Sequence, residues 1–169
     1  MHISPHTIHR IFFFFLLIAL MTVGAVQRAA AQTPPNIRVN HYLKSDSIKK
    51  GRTVQGIVEV DIPSGFHIHS NRPLEKFLIA TQLQIESPKG VRIGPVAYPR
   101  PVLRNLKFSK NRVSVFEGRA TLRFNVTVPA AFNSDTVELK GRLRYQSCND
   151  ELCFRPENRE FTFSAKVQK

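Results

Sequence analysis

Two cysteines occur in the 169 residues, Cys148 and Cys153, close together in "YQSCNDELCFRP", residues 145–156. Thiols in this arrangement can serve as a structural staple or as a reversible dithiol that carries two electrons between proteins. They can also act as thiolate ligands for zinc, together with His67 and His69 of "GFHIHS". A bond between them closes a ring of only six residues, which loop entropy values at about 2 kcal/mol at best, less than a bridge between distant strands. The spacing is C-x4-C rather than C-x-x-C, and no helical pattern follows it to lower a thiol pKa through an amino-terminal dipole. A strong autonomous oxidant or reductant is therefore not expected. Two readings stay open on the residues alone: a carrier loaded by one protein and discharged by another, and an inert staple. C-x4-C matches metal-ligand spacing only loosely, and oxidation competes with binding. A metal-binding protein using His67, His69 and His41 is a further alternative.

The compartment bears on that choice. Residues 1–31 read as a cleaved export signal, with Arg10 ahead of the apolar run of 16 residues at 11–26 and Ala29, Ala30 and Ala31 before Gln32. The run is shorter than a bilayer span, and no cysteine follows it to carry a lipid. No second apolar stretch of comparable length occurs. The expected product is residues 32–169, a single soluble domain of 138 residues without stable membrane insertion. It carries 23 basic and 12 acidic residues, a net charge of +11. The basic residues are spread along the chain, and an exported protein rarely meets nucleic acid, so no nucleic-acid partner is expected. An oxidising compartment favours pairing of the two thiols.

The elements that must position these residues are strands. "TVQGIVEVDI" puts Val58, Val60 and Ile62 on one face and Glu59 and Asp61 on the other. "ATLRFNVTV", "TVELKGRLRYQ" and "EFTFSAKV" alternate in the same way. "NIRVNHYL", "TQLQIES", "VRIGPVAY" and "RVSVF" are weaker strand candidates, separated by "KKG", "PSG", "SPKG", "YPRP" and "PAAFNSD". A helical turn is expected only near "PLEKFL". Seven to nine short strands with a turn about every ten residues predict an all-β, immunoglobulin-like antiparallel sandwich. The cysteines fall in the connection of a terminal hairpin.

"LRYQSCNDELCFRP", with "GFHIHSNRP", "VAYPRP" and "VFEGRATLRFNV" in the same order, resembles the amino-terminal periplasmic domain of the bacterial thiol:disulfide interchange protein DsbD. The resemblance runs from about Gly51 to Val167. It implies a periplasmic immunoglobulin-like domain whose cysteine pair cycles between dithiol and disulfide, as a component of a protein-disulfide reductase activity needing no cofactor. Thioredoxin-fold proteins, including cytochrome c maturation factors, would be its clients. It further implies that Cys153 forms the mixed disulfide and Cys148 resolves it, under a cap loop within "RPVLRNLKFSKN" whose covering side chain is Phe108 or Leu106. His67, His69 and Tyr145 would form the surroundings of the sulfurs, an imidazole there favouring the thiolate when protonated. The 169 residues hold neither membrane helices nor a thioredoxin-like domain, so a separate membrane electron donor and a monomeric carrier are expected. Arg155 departs from the family pattern and makes the rim more basic.

Overall fold

The computed structural model describes residues 33–169, within which Pro34–Lys169 form one compact unit. The export signal expected at 1–31 lies outside the described residues. Long alternating stretches build two four-stranded sheets. The first has the order β1 (Arg38–Leu43), β3 (Thr53–Asp61), β9 (Arg119–Thr127), β6 (Arg92–Ile93), all antiparallel. In the second, β2 (Ser47–Lys49), β12 (Glu157–Gln168), β10 (Thr136–Tyr145) and β5 (Gln82–Glu86) lie side by side. Only β2 and β12 run parallel there.

Period two decides what each sheet buries. Along β10, Val137, Leu139, Gly141, Leu143 and Tyr145 are buried while every intervening residue is exposed. Val58, Val60, Leu122, Phe124 and Val126 of the first sheet join Leu139, Leu143, Phe163 and Ala165 of the second in one core. Phe124 meets Phe163 edge-on across it, with ring centroids 5.4 Å apart. The close approach needs glycine at 56, because a Cβ there would collide with the Phe124 ring.

A third, smaller sheet carries the site: β11 (Ser147–Cys148), β4 (His67–His69), β8 (Val113–Phe116), β7 (Val102–Arg104). Twelve strands thus stand where seven to nine were expected. The additions are pieces of two or three residues, too short for a sequence period. No helix occurs among the described residues, and "PLEKFL" makes bends and a single turn closed by Leu78 N–H to the Glu75 carbonyl at 3.2 Å.

Candidate functional site

Strand β10 leads straight into the cysteines. After Tyr145 the chain enters β11, where Ser147 pairs with Ile68 and Cys148 with His67. It then reverses within four residues. Asn149 makes the turn: its Oδ1 accepts the N–H groups of Glu151 at 2.9 Å and Leu152 at 2.8 Å, and its own N–H donates to the Leu152 carbonyl at 3.0 Å. An Asn at such a position offers the backbone a local partner in place of a ladder, hence the sharp turn. Phe154 N–H returns to the Ser147 carbonyl at 2.8 Å, and Cys148 and Cys153 face each other as a bridge pair and are disulfide-bonded. Their exposure differs: Cys148 is fully buried, and Cys153 is half-buried.

His69 is the residue nearest in chemistry. It is fully buried, with Nε2 at 3.4 Å from Cys148 Sγ and 3.8 Å from Cys153 Sγ. Its Nδ1 lies 3.2 Å from the Ile79 carbonyl oxygen. A carbonyl only accepts, so that contact requires the ring proton on Nδ1 and leaves the Nε2 lone pair facing both sulfurs. Burial pushes the His69 pKa down, and the bond to Ile79 opposes it more weakly. The imidazole is therefore neutral near pH 7. The Thr81 hydroxyl donates to the His69 carbonyl at 2.5 Å, pinning the strand end.

His67 shares that face of β4, two residues away. It is 2% exposed, and its Nε2 is buried without a hydrogen-bond partner. Burial first, and then the neighbouring His69, push its pKa down to about 4, against the opposing pull of Glu117 and Asp150. The Phe108 ring stacks on His67 with centroids 6.3 Å apart and planes 23° from parallel. Phe108 thus covers His67. Leu106 lies underneath, buried with Leu78, Val113 and Val115. The cover is fastened to the cysteine turn, since Lys107 N–H donates to the Asp150 carbonyl at 3.0 Å and Lys107 Nζ pairs with Glu151 Oε1 at 3.0 Å. Arg104, on edge strand β7, binds Glu117 through Nε at 2.7 Å and a terminal nitrogen at 2.5 Å.

Two expected members of the site stand elsewhere. Tyr145 is fully buried in the main core, where its hydroxyl accepts from Arg159 Nε at 3.3 Å. Its inward place in the β10 alternation determines this. His41 sits on β1 and stacks on Phe161 at 4.6 Å. It is no part of the metal-ligating group that the fold assembles among the described residues, which is His69, Cys148 and Cys153.

Residues 38–165 match the family described as thiol:disulfide interchange protein DsbD, N-terminal. The chain belongs to this family. Among solved structures, the N-terminal periplasmic domain of ScsB from Proteus mirabilis is similar at 14% identity and TM-score 0.53, covering 78% of this chain and 48% of that one. The chain thus spans about half the length of that relative. The reduced N-terminal domain of Neisseria meningitidis DsbD aligns at 17% identity and TM-score 0.47, over 77% of this chain and 90% of that one. No curated protein sequence matches this chain significantly.

In this DsbD N-terminal fold, two parts of the site are not apparent from the sequence. The Ile79 carbonyl and the Asp150 carbonyl are backbone groups with no side-chain signature. Asn149 does leave a signal, a turn-forming residue placed between a strand and two acids.

Proposed function

We propose that the protein is a periplasmic thiol:disulfide carrier, exchanging electrons with thioredoxin-fold partners through the reversible Cys148–Cys153 bond. The unequal exposure of the two sulfurs beside one imidazole lone pair is the observation that carries this reading. In the dithiol form, the Cys153 thiolate attacks a partner disulfide, forming a mixed disulfide and releasing one partner thiolate. Buried Cys148 then yields its proton to His69 Nε2 and attacks Cys153 Sγ. The second partner thiolate leaves. The partner has gained two electrons and the carrier holds a disulfide again. The imidazolium returns its proton to the leaving sulfur or to water, and a separate membrane donor reduces the pair for the next cycle. The turn-borne ring supports a working role, because so small a loop stabilises by only about 2 kcal/mol.

The test combines a reduction potential with trapping. A Cys148→Ala variant should accumulate a mixed disulfide to a thioredoxin-fold protein through Cys153, and the wild-type pair should be more oxidising than about −300 mV. A potential well below about −300 mV with no trapped partner would identify an inert staple.

A further inference from the structure

Reduction gives the same three atoms a second use. Metal–sulfur bonds of about 2.3 Å and metal–nitrogen bonds of about 2.0 to 2.1 Å, at trigonal to tetrahedral angles, set nitrogen–sulfur edges of about 3.5 to 3.8 Å. The distances from His69 Nε2 to Cys148 Sγ and Cys153 Sγ are 3.4 and 3.8 Å. Both edges therefore exist before any cation arrives. Only the sulfur–sulfur edge must lengthen, to about 3.8 to 4.0 Å, and breaking the disulfide frees it to do so.

The surroundings meet the other requirements of a metal site. A ligating histidine ordinarily donates its second ring N–H to a carboxylate or a backbone carbonyl, which fixes the tautomer and aims the lone pair. His69 does this through Ile79. The half-buried side of Cys153 provides an entry path for a cation.

We propose that the dithiol form binds one soft, thiophilic cation of the Cu(I) class through Cys148 Sγ, Cys153 Sγ and His69 Nε2, and that the disulfide form does not. The choice of cation follows from the donors. Two thiolates and one imidazole suit soft, low-coordinate Cu(I), whereas structural zinc takes four ligands and the assembled group supplies three. Binding displaces one proton from each thiol, and no electron changes hands. The bound cation occupies both sulfurs, so exchange with a partner stops until it leaves. This inference rests on the carrier reading in requiring a reducible pair.

Anaerobic titration of the reduced and oxidised protein with Cu(I), in competition with a chromophoric Cu(I) chelator, tests it. The reduced chain should take up one equivalent and the oxidised chain none. His69→Asn should weaken uptake by at least about 10-fold. X-ray absorption of the wild-type complex needs no variant and should show two sulfur neighbours and one nitrogen. Equal uptake by both redox forms, unchanged affinity in His69→Asn, or a shell of two sulfurs alone would overturn the proposal. Exchange of the metal-free dithiol with a thioredoxin-fold disulfide, measured on the same preparation, reports separately on the carrier reading. Tight Cu(I) binding without exchange would remove the carrier and leave the metal site standing.

Discussion

Replacing His67 with phenylalanine should remove an acid sensitivity that the wild-type fold carries. In the folded chain the His67 pKa is pushed down to about 4 from the ordinary 6.5, because the ring is buried and lies beside His69. The unfolded chain exposes the same imidazole to water, where it titrates near its ordinary value. Between those two pKa values the unfolded state binds a proton that the folded state refuses. Stability from this group is complete above about pH 7.5, falls as the pH drops through 6.5, and stops falling near 4. At 1.36 kcal/mol per pKa unit, the full loss is about 3 kcal/mol, a large share of the roughly 5 to 15 kcal/mol that holds a domain together. Phenylalanine keeps a ring for Phe108 to stack on and removes a buried nitrogen that has no partner. The variant should therefore match or exceed wild type at neutral pH. Asp61 and Glu117, whose pKa values are lowered by Arg119 and Arg104, also lose stability in acid, but over a lower range and in both proteins. Urea denaturation of the pair at steps from about pH 7.5 to pH 4 isolates the imidazole as the growing difference between them. Parallel stability curves, with a constant gap across that range, would refute the argument.

Phe108→Ala should uncover His67, the strand partner of Cys148, and speed reduction by dithiothreitol several-fold, as read by alkylation and mass shift. The same change should cost about 1 to 2 kcal/mol, since the ring is only half-buried. Lys107→Ala removes an exposed ion pair to Glu151 but keeps the backbone bond to Asp150, so the reduction rate and the urea midpoint should both stay at wild-type values. Gly56→Ala drives a methyl group into the Phe124 ring, which packs against Phe163. A loss of about 1 to 3 kcal/mol is expected, with the reduction potential unmoved because the clash lies in the main core.

The sandwich was legible because its long strands bury one face only. Every second residue of β10 is buried, and the hydrophobic period states as much before any coordinate is known. The terminal hairpin followed, and with it the cysteines in its connection. Strand β4 is different in kind. All three of its residues are buried: Ile68 in the main core, and His67 and His69 on the opposite face. No alternation results, so polar type and spacing alone had to suggest that the histidines share a face. The pairing of His69 with the sulfurs depends on β11 laying Cys148 beside His67, a contact between positions 81 residues apart along the chain. Tyr145 shows the opposite failure. Resemblance to the family suggested a place around the sulfurs, while the strand period sends its ring into the core.

The bond from Lys107 N–H to the Asp150 carbonyl fixes the segment that carries Phe108 to the cysteine turn. Its donor and acceptor are main-chain atoms, so side-chain drift at either position leaves the latch intact, and among the standard residues only proline at 107 abolishes the donor. The exposed side chains of this segment can therefore diverge without loosening that bond. A change in the length of either segment breaks the registration of both. Over evolutionary time, the exposed positions 105, 107, 150 and 151 should vary in composition, while insertions and deletions in one segment appear only alongside a matching change in the other.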